Sequence, residues 1–299
     1  MAINSKPGAR PKLACEISAD RVFAGRVAEK AGALEAYAGR ELAVGSVVPD
    51  LIEHNLRQRN EVARSIREVL EAVGSRSHDV VAVLPDAAVR VALVDFDALP
   101  TNRQEAEGVV RFRLKKSLPF EVDKAKVSYH AQTSGEGVRV VAAVALNSVV
   151  EDYEAAFNEA GYSPGVVLPS MLAALGAADA GRPTLVVKVD ARTTSIAILD
   201  NQQILLLRTL ENSRGVTITG EQLAEEVYPS IVFFQDTYHL NIEKILVSGL
   251  PDSSGAAQAL RAATGSDVEE LVSESQLGIA AGGSVPRYRM AGVVGALIA

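Results

Sequence analysis

One pattern of elements occurs twice along this chain, and the duplication constrains the fold more than any other feature. In the first copy, residues 13–18, 21–28 and 34–44 are short apolar-alternating stretches between polar or glycine-containing turns, which predicts a three-stranded meander. Residues 57–73 then place Val62, Ile66, Val69, Leu70 and Val73 on one helical face, with Gly74 as a stop signal. Residues 80–84 read as a continuously buried strand closed by Pro85. From Thr184 the order restarts: strands at 185–189, 194–199 and 204–210, a long helix at 221–238, a buried strand at 245–247, and a helix at 256–263 closed by Gly265. A spacing this long excludes a solenoid, so a whole domain is duplicated.

Between the copies lie a strand at 88–94, a helix at 102–118 with Ala106, Val109, Val110 and Leu114 inward, strands at 127–131 and 138–145, and a helix at 149–160 ended by Gly161. The expected plan is a loose tail over 1–12, a first lobe over 13–180 with a small inserted subdomain at about 86–134, and a second lobe over 181–299. The last helix is expected to return to the first lobe. The 299 residues suffice for two compact domains, and 48% hydrophobic against 22% charged residues is a globular balance.

A net charge of −7 argues against a protein that wraps nucleic acid. The single cysteine, Cys15, forms no internal disulfide or thiolate cluster, which suits a reducing compartment. His54, His78, His130 and His239 are scattered without metal-ligand spacing. No stretch approaches the roughly 20 apolar residues of a membrane span, so a cytoplasmic protein is expected. No Gly-x-Ser-x-Gly elbow, P-loop or GxGxxG pattern occurs.

The repeat also shows in its residues. Glu16 to Ala24 and Asp190 to Ile198 each put an acid near the end of a buried strand, then a polar turn, then a second apolar strand. Two such hairpins facing each other make a cleft whose amides and hydroxyls suit phosphates and whose acids suit a magnesium ion held through water. This is the arrangement of an α/β, actin-like (ribonuclease-H-like), duplicated two-lobed fold.

Within that superfamily the chain resembles the PilM family, cytoplasmic actin-like assembly proteins of type IV pili related to FtsA and to the cytoplasmic domain of GspL. The resemblance rests on the helix 62–73, Val-Val-Ala-Val-Leu-Pro85, Leu99-Pro100, Leu118-Pro119-Phe120, Val127-Ser-Tyr129, Val141-Ala-Ala-Val-Ala145, Glu159-Ala-Gly161 and Leu172-Ala-Ala-Leu175. It implies a scaffold at the cytoplasmic side of the inner membrane that captures the N-terminal tail of a PilN-like membrane protein, in a groove between the insert and the first lobe. The residues expected there are Arg111, Phe112, Arg113, Pro119 and Phe120. The basic run 111–116 reads otherwise as a solvated helix face.

The nucleotide cleft implied by the resemblance takes in Glu16, Ser18, Asp190, Arg192, Thr193, Ser248 and Gly249. Ser18 and Arg192 stand where the superfamily's pattern has glycines that let backbone approach a phosphate, and the nucleoside turn is reduced to Ser248-Gly249-Leu250-Pro251. Arg192 either stabilises phosphate charge or fills the phosphate space by pairing with Asp190 or Glu16, and the filled site is favoured. Neither ATP nor magnesium is firmly implied, and a homo-oligomer is compatible with the pattern. The alternative is an active ATPase or kinase of the same superfamily.

Overall fold

The computed structural model describes residues 11–27, 32–134, 137–282 and 285–298. The expected tail over 1–12 lies outside these residues except for Pro11 and Lys12. Two sheets of matching topology form the lobes. In the first, β1 (Leu13–Ile17), β2 (Arg21–Val27) and β3 (Leu34–Glu41) make an antiparallel meander. Beyond helix α1 (Arg59–Val73), strand β4 (Asp79–Leu84) pairs parallel to the far side of β1.

The insert follows: β5 (Arg90–Phe96), α2 (Arg103–Leu114), β6 (Ala125–Ser134) and β7 (Gly137–Leu146), the strands joined as a separate sheet in the order β5-β7-β6. The expected boundary at 134 is therefore too short, because β7 is the central strand of the small sheet and carries it to Leu146. Helix α2 stops at Leu114, short of the expected 118, and Val109 is 39% exposed rather than inward. Ala106, Val110 and Leu114 form a buried row at every fourth residue, the last two in the small core, leaving Val109 about 100° round the helix toward water.

Helix α3 (Asn147–Ala160) returns to the first lobe, where β8 (Ser163–Pro169) pairs parallel with β4 and leads into α4 (Ser170–Ala174). The second lobe repeats the plan. Its meander is β9 (Thr184–Val189), β10 (Thr193–Asp200) and β11 (Gln203–Glu211). After α5 (Gly220–Tyr238) comes β12 (Lys244–Ser248), parallel to β9, then α6 (Ser253–Thr264) and β13 (Asp267–Glu270). The chain then crosses back: β14 (Ile279–Gly282) pairs with β3, and α7 (Ala291–Ile298) packs on β1, β2, β4 and α4.

Alternation along the strands sorts the core into layers. Leu13, Cys15 and Ile17 of β1 join the layer under α1 and α3, whereas Ala14 joins Val186, Ala197 and Leu246 of the second lobe and Val293, Val294 and Leu297 of α7. Leu185, Val187 and Val189 of β9 point the other way, into the layer with α5 and α6. Since side chains alternate between faces, Glu16 and Lys188 fall on the inner faces of the two sheets, in the layer between the lobes.

Candidate functional site

The two hairpins superimpose by register. Glu16 pairs with Phe23 and Ile17 with Val22, and Ser18 N donates to Arg21 O at 2.8 Å to close the turn. In the second copy Lys188 pairs with Ser195 and Val189 with Thr194, and Asp190 N donates to Thr193 O at 2.9 Å. The structural counterpart of Glu16 is therefore Lys188, and that of Ser18 is Asp190. Matching Glu16 to Asp190 by their charge shifts the repeat by two places, because composition does not mark the last paired residue of a strand.

Lys188, 7% exposed, stands among three acids. Its Nζ lies 3.8 Å from Glu16 Oε1 and 3.9 Å from Asp190 Oδ2. The third acid, Asp86, sits in the short turn after β4 and is bound from both lobes: Met171 N donates to its Oδ1 at 2.7 Å and Ser195 Oγ to its Oδ2 at 2.8 Å. Ser170 Oγ donates to Glu16 Oε1, while Glu16 Oε2 has no hydrogen-bond partner and lies against Gly292 at the start of α7. Burial raises the pKa of Glu16 and of Asp86, opposed by the charge on Lys188. For Lys188, burial works against the charge, but Glu16, Asp86 and Asp190 together hold it above its usual value. The lysine is a firmly held cation.

Of the expected nucleotide residues, Glu16, Ser18, Asp190, Ser248 and Gly249 come together here and are engaged by the protein itself. Asp190 Oδ1 accepts from Arg192 N at 2.8 Å and Thr193 N at 2.9 Å, capping its own turn. Arg192 does not fill the cleft: it is exposed and its charge acts on Asp50, whose pKa is lowered by the Glu53 and Ile52 amides and, to a smaller extent, by Arg192. Thr193 Oγ1 is buried without a hydrogen-bond partner. Ser248 Oγ and Gly249 N both donate to Tyr288 O, at 2.7 and 2.6 Å, and Arg289 pairs with Asp20 of the first hairpin. Gly249 is required by its backbone at φ 94° and by packing, since a Cβ there would lie 1.7 Å from Val189 O.

The space left among Glu16, Ser18, Lys188, Asp190, Gly249 and Tyr288 is about 30 Å³. That is the scale of a water molecule or two, whereas ligand pockets run to about 300–1,000 Å³. A nucleotide does not fit into that space as the lobes stand, whereas Asp86, Arg192 and Thr193 line a separate cavity of about 950 Å³; the centre where a divalent cation would meet Glu16 and Asp190 carries an ammonium group.

The expected partner residues are spread over different surfaces. Asn102 caps α2, its Oδ1 accepting from Gln104 N at 2.9 Å and Glu105 N at 3.2 Å. Arg111 bonds Glu107 Oε1 at 2.9 Å and donates to Val122 O and Ala125 O at 3.1 and 3.2 Å. It lines a cavity of about 500 Å³ between α2, β6 and the start of α3, with Glu107, Asp123, Lys126 and Asn147. Phe112, 76% exposed, and Arg113 point to solvent. Phe120 packs on the small core, and Pro119 borders a different cavity of about 950 Å³ walled by residues 49–52, Asp86, the start of β5, the turn 191–193 and β11.

The insert also reaches the second lobe, a contact the sequence did not announce. Gln132 and Ile204 exchange two hydrogen bonds at 3.1 and 3.0 Å, Gln203 Nε2 donates to Thr133 O at 3.0 Å, and Arg139 donates to Tyr238 Oη at 2.6 Å. Lys188, Asp86 and Ser170 were likewise missed. Only Lys188 left a signal, as the one charge within the apolar run Leu-Val-Val-Lys-Val189.

Two lobes of like topology, facing each other through hairpins of the same register, define an actin-like protein. Residues 16–243 match the family described as "Type IV pilus assembly protein PilM", and the chain belongs to that family. Among solved structures it is similar to one titled "PilM-PilN type IV pilus biogenesis complex", with 21% identity, 96% of this chain and 98% of that chain covered, and a TM-score of 0.78. A Bacteroides thetaiotaomicron protein with actin-like ATPase fold and unknown function gives 11% identity, 86% and 89% coverage and a TM-score of 0.53. The ethanolamine utilization protein EutJ from Carboxydothermus hydrogenoformans gives 13%, 98% and 92%, and 0.53. These likenesses show the fold. No curated protein sequence matches the chain.

Proposed function

We propose that this family member is a scaffold of the type IV pilus machinery that binds the N-terminal tail of a PilN-like membrane protein, with a nucleotide cleft that has lost its ligand. The observation that carries the reading is the groove of about 500 Å³ on the insert, between α2, β6 and the start of α3 where the insert joins the first lobe, in a chain similar over nearly its whole length to the structure of a PilM-PilN complex. An extended tail laid there meets polar groups already held in place. Arg111 is fixed by three acceptors, and Lys126 Nζ is held by Glu154 Oε1 at 2.9 Å. Preorganised donors reduce the ordering cost of binding, so a short tail can gain affinity from few contacts.

Among the described residues no helix is long and apolar enough to cross a membrane. In this reading the protein works at the cytoplasmic face of the inner membrane, held there by its partner. Turnover of ATP needs phosphate-binding turns and room for the nucleotide, and the closed cleft argues against both.

The test is calorimetry of the partner's tail peptide with the full chain and with folded Arg111→Ala, Lys126→Ala and Phe112→Ala variants. Loss of fivefold or more in the first two, about 1 kcal/mol each, with no change in the third, supports the groove. The opposite pattern places the tail on the outer face of α2. Micromolar Mg-ATP affinity with turnover would overturn the reading of the cleft.

A further inference from the structure

We propose that Lys188 is the built-in cation of the interlobe cleft, occupying the point between acids of both lobes that a metal ion would otherwise take, and so holding the lobes closed with no ligand. The proposal rests on the reading of the cleft as ligand-free and goes further, assigning the closure to one residue.

The first argument is the register. Duplicated hairpins bring equivalent positions of β1 and β9 to face one another in the layer between the lobes, and a strict repeat of Glu16 would place a second acid opposite it. Two facing buried acids need a cation between them or one of them must take a proton. Here the second position is a lysine, and the pair attracts without help. Its Nζ spans the lobes, 3.8 Å from Glu16 Oε1 in the first and 3.9 Å from Asp190 Oδ2 in the second.

The second argument is what surrounds the pair. The Asp86 and Ser195 bond at 2.8 Å joins parts of the chain that a simple two-lobed opening would separate. Glycine at 292 is part of the arrangement, since a Cβ there would come within 2.4 Å of Glu16 Oε2. That oxygen is buried and unpartnered, so the Glu16 charge depends on Lys188 more than a well-solvated carboxylate would. A divalent ion entering the cluster would meet the ammonium group first.

The consequence is a trade of one cation for another. Removing the lysine side chain leaves Glu16, Asp86 and Asp190 without their shared counter-charge, a deficit that an added divalent ion is expected to offset. Thermal unfolding of the full chain in chelator and in millimolar magnesium, manganese or calcium tests this.

The wild type is expected to unfold at the same temperature in all four. Lys188→Ala is expected to unfold about 10 °C lower in chelator and to recover several degrees with a divalent ion but not with sodium at equal ionic strength. Glu16→Gln/Lys188→Met, a neutral pair of similar bulk, is expected to fold, to lose less than the single variant and to ignore cations. If Lys188→Ala fails to fold, the double variant decides: folding supports the proposal, and failure to fold overturns it. A Lys188→Ala protein within about 2 °C of wild type, or one no more responsive to divalent ions than wild type, also overturns it. Calorimetry of wild type with Mg-ATP reports separately on whether the cleft is ligand-free.

Discussion

Charged residues crowd both the interlobe cleft and the insert, but the two regions put them to different use. In the cleft, Glu16, Asp86 and Lys188 are nearly sealed from water, and each acid is held by groups from other elements. In the insert, Arg139 pairs with Asp95 at 2.7 Å, but Asp95 is 68% exposed, and the groove pairs of Arg111 and Lys126 are half-buried. Sealed charges are costly to unpair, so they fix one arrangement of the lobes. Half-buried charges held at a wetted surface cost little to desolvate further, so a tail can meet them where they stand.

That contrast predicts its largest effect at Asp86. Asp86→Ala removes the acceptor for Met171 N and Ser195 Oγ and takes one counter-charge from Lys188, all in a buried place. A loss of about 3 kcal/mol or more is expected in denaturant unfolding. A loss below about 1 kcal/mol would mean that the cleft is as wet as the insert.

Gly292→Ala should come next, at about 2 kcal/mol, because the new methyl would press on Glu16 from the start of α7. The same substitution at Gly108, where a Cβ meets nothing within 4 Å on an exposed turn of α2, should be neutral or stabilising. The pair of variants compares the two regions by one chemical change, read as unfolding midpoints in denaturant.

The contrast extends to pH. Burial raises the pKa of Glu16 and Asp86, so the folded chain binds protons there at a pH where the unfolded chain, near pKa 4, does not. Stability should therefore rise as pH falls through their folded values. Asp95, lowered by its hydrogen bonds to Arg139, and Asp50, lowered by the Glu53 and Ile52 amides, contribute stability present above about pH 4. That contribution is lost as pH falls through their lower folded values. A stability maximum on the weakly acidic side is expected, and Glu16→Gln should flatten the rise without moving the acid loss.

Much of this architecture is legible in the sequence because short apolar strands buried on both faces stand between turn signals and amphipathic helices repeat. The buried faces of α1 and α3 follow from Val62, Ile66, Val69 and from Val149, Tyr153, Phe157. What was not legible depends on partners distant in sequence. Strand β8 begins Ser-Pro-Gly, a turn signal that pairing with β4 overrides, and β14 has only three residues before its glycine. Lys188 could be seen as odd within its strand, but its meaning needed the register of β9 on β10. Arg192 looked like the natural occupant of the cleft until the turn after Asp190 aimed it outward.

The smallest effect is expected on the face of α2 that carries Phe112. With its ring 76% exposed and the small core served by Ala106, Val110 and Leu114, Phe112→Ala should change stability by less than about 0.5 kcal/mol. Phe120 belongs to the same candidate set by sequence, yet it packs with Leu118 and Tyr129 on the small core, and Phe120→Ala should lose about 1–2 kcal/mol. Thermal unfolding of the two variants side by side separates an aromatic that holds the insert together from one that is free to meet a partner. Equal losses would show that α2 packs its outer face on the protein after all, and Phe112 would then leave the list of residues open to binding.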